Sequence, residues 1–375
     1  MKVPQFSLAS QTMRIKEELD EAISQVVTKG SFILGENVQK LEREAARYLG
    51  VEYGIGVGNG SDALYLALLA CGVGFGDEVI TTPFTFFATA GSITRAGAVP
   101  VFADIDPYTF NLNVNLLDEK ITERTRAIMP VHLYGQAADM APLMEIAVKH
   151  NLRVVEDTAQ AMGSSCGEKK TCSFGNAGCL SFFPTKNLGG FGDGGMVVTG
   201  NPEVAEKVKM LRVHGSRKKY FHEVVGINSR LDEIQAAVLV VKMKYLDQWI
   251  AARNSLAANY MELFKQHGLE EIVKLPRTID NAYHTYNQYT VRVPDRDELQ
   301  IYLNERGIGT AVYYPLPLHL QPSFSYLNYR SGDFPQAEKA CREVISLPIF
   351  PELAADQQEY VVATIKQFYR EKGLV

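Results

Sequence analysis

Between Tyr53 and about Thr199 short apolar runs alternate with helical stretches, and this alternation restricts the possible folds more than any other feature of the chain. The candidate strands are Tyr53 to Val57, Glu78 to Thr82, Val99 to Ala103, Arg126 to Val131, Leu152 to Glu156, Cys179 to Phe183 and Gly195 to Thr199. Strands separated by helical segments predict βαβ units, and hence a mostly parallel central sheet flanked by helices. Upstream, Ile15, Leu19, Ile23 and Val26 repeat at helical spacing and predict one amphipathic helix from Met13 to Lys29, stopped at Gly30. Val38, Leu41, Ala45 and Tyr48 predict a second, from Glu36 to Leu49, ending at Gly50.

A long helical stretch begins near Arg230 and runs through Ala236, Leu239, Met243 and Leu246. Beyond Arg253 the pattern becomes α+β, with a strand at Gln288 to Val293, a helix at Asp297 to Arg306 and a last helix near Gln357 to Glu371. The expected organisation is a larger α/β unit over residues 1–250, including the N-terminal helices, and a smaller α+β unit over residues 251–375. The N-terminal helices could pack with either.

Composition removes several function classes. With 38 Lys+Arg against 43 Asp+Glu the 375-residue chain carries a net charge of −5, without the basic footprint of a nucleic-acid-binding protein. No run reaches the roughly 18 apolar residues of a membrane span; Ala236 to Val241 is cut by Lys242 and Lys244. Five cysteines, with Cys166, Cys172 and Cys179 spaced too widely for a zinc site, predict free buried thiols, no metal and a cytoplasmic setting.

The connections after the strands carry the chemistry. Glu156 and Asp157 end an apolar strand, where open α/β sheets bind ligands. Twenty-nine positions on, Lys186 follows another apolar strand and opens a glycine-rich loop through Gly195, where an ammonium can be desolvated and made nucleophilic toward carbonyls. A carbonyl-reactive lysine plus an acid facing a pyridinium nitrogen is the protein apparatus of pyridoxal phosphate. Gly58 to Leu64 follows a strand and opens an apolar helix, so Gly60, the Ser61 hydroxyl and the helix N-terminus can face a phosphate, with Ser181 as a second hydroxyl. Phe84 to Thr89 supplies rings to cover a flat cofactor. Each feature alone has a plainer reading: a helix cap, a surface lysine, a small-residue turn, a strand serine, a core aromatic.

Taken in order, these segments resemble the DegT/DnrJ/EryC1/StrS group of pyridoxal-phosphate-dependent sugar aminotransferases. The resemblance rests on Asn59 to Leu64, Thr85 to Thr89, His132 to Gln136, Glu156 to Gln160, Ser181 to Lys186, Gly226 to Ala237, Tyr314 to His319 and Ser346 to Pro348. It implies the type I aminotransferase fold, with a large cofactor-binding domain and a smaller C-terminal one. It further implies Lys186 as Schiff-base lysine and proton shuttle, Asp157 at the pyridinium nitrogen and Gln160 near the ring hydroxyl. Phe86 would stack on the ring, and Gly60, Ser61 and Ser181 would hold the phosphate.

By the same resemblance, Asn228 reaches the phosphate of a neighbouring subunit in a homodimer, and Arg230, Tyr313, Tyr314 and His319 line the sugar-nucleotide channel. Many relatives have His where this chain has Tyr313, which bears on the substrate and leaves the cofactor site untouched. Dehydratases of the group carry His in place of the lysine; Lys186 therefore favours transamination. The implied reaction moves an amino group from glutamate to a nucleotide-linked keto sugar, expected at C3 because His132 to Asp139 resembles the 3-aminotransferase branch. A 4-keto sugar or cyclitol substrate, or a non-catalytic regulatory ligand-binding role, are the other readings the resemblance allows. The basic groups such a protein needs, among them Arg217, Lys218 and Lys219, would be concentrated in a positive cleft that the net charge conceals.

Overall fold

Two N-terminal glycines do what the periodicity predicts: Gly30 and Gly50 adopt left-handed φ of 68° and 74° and return their N–H groups to the last helical carbonyls. The computed structural model describes all 375 residues. The single helix expected from Met13 is two, α1 (Ala9–Arg14) and α2 (Lys16–Lys29). The break at Ile15 turns that side chain, with Leu19, into an apolar cluster with Val238, Val241 and Trp249. Helix α3 (Glu36–Leu49) starts at the N–H groups of Asn37 and Val38, which donate to the buried carboxylate of Glu233.

The central sheet has seven strands: β1 (Tyr53–Val57), β2 (Glu78–Thr81), β3 (Val99–Phe102), β4 (Thr125–Ile128), β5 (Arg153–Asp157), β6 (Ala177–Ser181) and β7 (Gly195–Thr199). Their spatial order is β1-β7-β6-β5-β4-β2-β3, and β7 alone runs antiparallel to its neighbours. Strand β4 ends before Pro130, which has no N–H to give the ladder, and β6 ends two residues earlier than expected, before the turn at Pro184.

Side chains alternate across this sheet as a pleat requires. Cys179 and Val197 face one side with Ile55, Val155 and helices α4 (Gly60–Ala70) and, beyond α5 (Phe87–Arg95) and α6 (Met140–Lys149), α7 (Pro202–Leu211). Leu180, Met196 and Val198 face the other with Leu41 of α3 and Leu239 of α8 (Glu233–Met243). Both faces are covered, so β6 and β7 are buried along almost their whole length without a charged residue.

The long helical stretch after Arg230 is likewise divided, α8 ending at Met243 and α9 (Leu246–Gln266) beginning after Tyr245. Leu246 and Ile250 of α9 belong to the core beneath the sheet, whereas Ala257, Tyr260, Leu263 and Phe264 belong to a separate core. That second core is built from the two-stranded ladder of β8 (Tyr289–Arg292) and β9 (Val344–Leu347), with α10 (Arg296–Glu305) and α11 (Ala355–Glu371). From the N-terminus only Val3 joins it; α2 and α3 pack on α8, so the N-terminal helices side with the sheet rather than the C-terminal core.

Strand β7 meets the start of α4 with no room to spare. A Cβ on Gly195 would lie 2.4 Å from the carbonyl carbon and oxygen of Asn59. Gly195→Ala is expected to cost about 1–3 kcal/mol of stability through overpacking, read as a lowered thermal midpoint in calorimetry; an unchanged midpoint contradicts the close approach.

Candidate active site

The carboxyl ends of β5 and β6 lie side by side, with Asp157 paired in register to Cys179. Asp157 is 5 % exposed. Its Oδ2 accepts from Thr89 Oγ1 at 2.8 Å and its Oδ1 from the Ala159 N–H at 3.1 Å, while Thr89 also contacts Thr85 Oγ1 at 2.9 Å. Burial pushes the carboxyl above its usual range, and these two donors and the Lys186 charge pull it back. A buried carboxylate held by two neutral donors is suited to a cationic partner such as a protonated ring nitrogen.

Lys186 follows β6 on a loop whose neck is tied by Gly190 N–H to Phe182 C=O at 2.7 Å, with the Lys186 N–H donating to Phe183 C=O at 2.9 Å. Burial lowers the Lys186 amine to about 8, against the opposing charge of Asp157. The loop is also held from the C-terminal region. Asn187 Nδ2 donates to Thr285 C=O and Asn287 Nδ2 to Thr185 C=O, both at 3.3 Å, so Lys186 is bonded on either side to one short segment. The same segment crosses to the Tyr134–Gly135 corner, where the Thr285 N–H donates to Gly135 C=O at 2.9 Å. Arg253 secures it, Nη1 donating to the carbonyls of Tyr286 and Ile349 at 3.1 and 2.9 Å.

At the start of α4 the Asn59 side chain accepts from the Asp62 N–H at 2.8 Å, leaving the Gly60 and Ser61 N–H groups for an anion. Gly60 is required here: a Cβ would sit 2.7 Å from Ser181 Cβ, so α4 and β6 touch at the two residues expected to share a phosphate. The neighbouring Gly58 N–H donates to Ser229 Oγ at 3.0 Å, drawing the segment that carries Asn228 and Arg230 to the same cradle. Gln160 accepts from the Tyr134 N–H at 2.8 Å and donates to Tyr314 Oη at 3.0 Å. The Phe86 ring, 57 % exposed, lies 6.2 Å from that of Tyr314.

Contacts link these positions: Gly60 abuts Ser181, Thr89 on the helix that follows Phe86 bonds Asp157, and the Lys186 charge acts on Asp157. The donor set fits pyridoxal phosphate, with its phosphate, basic ring nitrogen and aldehyde. Tyr313 adjoins the site through its carbonyl, which accepts from Tyr134 Oη, and Arg230 is half-buried. Asn228 is exposed. His319 does not face the site: it is 2 % exposed, pairs with Glu338 Oε1 at 3.2 Å and lies edge-on to Phe334. In this chain it packs against its own loop.

Sequence reasoning missed the roles of Thr89 and of His132. Thr89 lies in the first turn of α5, four residues after Thr85, which precedes the helix. His132 Nδ1 accepts from the Ala138 N–H at 3.0 Å, so Nε2 carries the hydrogen and donates to Glu156 at 3.0 Å. Glu156 also accepts from the N–H groups of Cys172, Phe174 and Gly175, which fixes the strand end immediately before Asp157. Nothing in the sequence announced the Thr285–Asn287 segment, about 100 residues from the loop it holds.

Residues 13–366 match the model of the DegT/DnrJ/EryC1/StrS aminotransferase family. The chain belongs to this family. It is 54 % identical over 370 residues to a pleiotropic regulatory protein of Geobacillus stearothermophilus, covering 99 % of both chains. It is 42 % identical over 371 residues to the dTDP-3-amino-3,4,6-trideoxy-alpha-D-glucose transaminase of Streptomyces venezuelae, covering 98 % of this chain and 96 % of that one. The crystal structure of S. venezuelae DesV in complex with a ketimine intermediate superposes with a TM-score of 0.95, at 41 % identity and 98 % coverage of each chain. The fold class and the pyridoxal phosphate dependence expected from the sequence therefore stand.

Two outcomes follow from this geometry. A hydrogen bond to a charged group contributes about 1.5–3 kcal/mol, so Thr89→Val should weaken cofactor retention about tenfold or more in equilibrium dialysis; retention equal to that of the unaltered protein contradicts the role of Thr89. In cofactor-free protein the Lys186 amine should be deprotonated as pH rises through about 8. At pH 8 its reactive fraction is then about a hundredfold above that of an ordinary lysine, measured as site-resolved labelling by an amine-directed reagent. A labelling midpoint near that of surface lysines contradicts the desolvated site.

Proposed function

We propose that this enzyme transfers an amino group from glutamate to a nucleotide-linked sugar bearing a keto group at C3, giving an amino sugar for surface-polysaccharide or secondary-metabolite synthesis. The observation that carries the reading is the buried Asp157, on which the Lys186 charge acts, next to the contact of α4 with Ser181. The 42 % identity to a 3-amino-sugar transaminase supports C3 in particular. The division of the chain near residue 250, a homodimer that brings Asn228 to the partner's cradle, and a cytoplasmic location belong to the same proposal.

Bound pyridoxal phosphate supplies the electron sink for the charge that develops at the carbon losing its proton. Lys186 holds and returns that proton, since an amine near 8 exchanges it readily at neutral pH. Asp157 keeps the ring nitrogen protonated, Phe86 covers the ring and Gln160 addresses the ring oxygen. Gly60, Ser61 and Ser181 anchor the phosphate, and Arg230, Tyr313 and Tyr314 face the sugar nucleotide, where a guanidinium can take a phosphate or a carboxylate.

The regulatory name of the 54 % identical relative favours a second reading, a ligand-responsive regulatory protein. A protein that only binds a ligand has no use for a free amine at Lys186. One assay separates the two: UDP- and dTDP-linked 3-keto and 4-keto sugars are offered with glutamate, and amino sugar and 2-oxoglutarate are measured. The proposal expects turnover on a 3-keto sugar, at least a thousandfold less with Lys186→Ala in line with loss of a general acid–base, and ping-pong kinetics. Nitrogen at C4 of the product overturns the regiochemistry, and no turnover with any keto sugar by cofactor-loaded protein favours the regulatory reading.

A further inference from the structure

We propose that Lys242 and Gln235, on one face of α8, are positioning residues for Lys186, acting through the neck of the loop that presents it. The inference rests on Lys186 being the cofactor lysine. Lys242 is 2 % exposed. A lysine so deeply buried would ordinarily face a carboxylate, since an isolated buried charge is costly. Here Nζ donates instead to the Gly189 carbonyl at 2.5 Å and lies 5.3 Å from the centroid of the Phe191 ring. Burial alone lowers its amine to about 8, with no acidic group acting on it.

What that ammonium grips is the return limb of the Lys186 loop. The chain leaves β6 at Ser181, passes Phe182 to Lys186 and comes back so closely that a Cβ on Gly189 would be 2.2 Å from the Pro184 carbonyl oxygen. The Gly190 N–H closes the neck on Phe182 C=O, and one residue later the Phe191 N–H donates to Gln235 Oε1 at 2.7 Å. Gln235 also fills the space beside Gly190 and Gly192, where an added Cβ would lie 2.8 and 3.1 Å from its amide. Gln235 and Lys242 are two helical turns apart and thus on one side of α8, so one rigid helix takes both backbone groups flanking Gly190. A charge-assisted bond is about twice as strong as a neutral one, which explains a buried ammonium at this point. The neck, and with it the reach of Lys186, is set from α8.

The experiment compares cofactor-loaded unaltered enzyme with Lys242→Met, which keeps the length and removes the charge, and with Gln235→Ala. Three quantities are read: kcat, KM for the amino donor, and the pH midpoint of the cofactor's visible absorption. The expected result is a fall in kcat of about tenfold or more with KM within about twofold, because misplacement of a reacting group acts on the chemical step. The absorption midpoint should shift with it, and Lys242→Arg should recover part of kcat relative to Lys242→Met. Variants that lose thermal stability while keeping kcat and the midpoint overturn the proposal. If Lys242→Met does not fold, Gln235→Ala decides by the same criteria. Inactivity of the unaltered enzyme on every keto sugar would count against the function proposed above, whereas the absorption midpoint would still test the positioning.

Discussion

The buried carboxylate of Asp157 ends β5, and the Lys186 amine, whose charge acts on it, follows the end of the adjacent strand β6 by five residues. Everything around Asp157 and Lys186 serves to keep that arrangement, since neither group would stay in place or in a useful protonation state without support. Thr89 and the Ala159 N–H hold the carboxylate; His132 and three backbone N–H groups saturate Glu156 and so fix the strand end that carries it. On the amine side, the Thr285–Asn287 segment bonds the residues before and after Lys186, and Arg253 holds that segment. The site is therefore a joint product of the sheet and the C-terminal region, with α9 running through both cores.

Glycine plays its part where backbones or side chains must approach closely. Gly60 lets α4 reach Ser181, and Gly195 lets the one antiparallel strand reach the cap of α4. These contacts pack the N-terminus of α4 against β7 and against the end of β6, the strand that leads to Lys186. The macrodipole of α4 and its free N–H groups then favour a phosphate without a cluster of basic side chains. The positive cleft inferred from the −5 net charge is in this sense only partly a matter of Lys and Arg: the cradle proper is made of backbone amides and hydroxyls, and Arg217 is paired with Glu223.

Much of this was legible in the sequence because it is local. The strands ending at Asp157 and Ser181, the small-residue turn before α4 and the glycine-rich loop each declare themselves within a dozen residues. Element ends were less legible: β4 stops short before Pro130, and Ile15 breaks a helix that periodicity alone would continue, because a distant cluster accepts its side chain. His319 lies in a motif yet turns inward to Glu338, and Lys242 interrupts an apolar run yet reaches the Gly189 carbonyl. Such roles depend on partners tens to hundreds of residues away, which pattern and spacing do not encode.

The proposed function requires Asp157 to fix the protonation of the cofactor ring. It is tested most directly by nitrogen-15 NMR of enzyme loaded with ring-labelled pyridoxal phosphate. The ring nitrogen should be protonated in the unaltered enzyme across neutral pH and should lose that proton in Asp157→Asn. A ring nitrogen that is unprotonated in the unaltered enzyme, or that is indifferent to the substitution, would contradict the account.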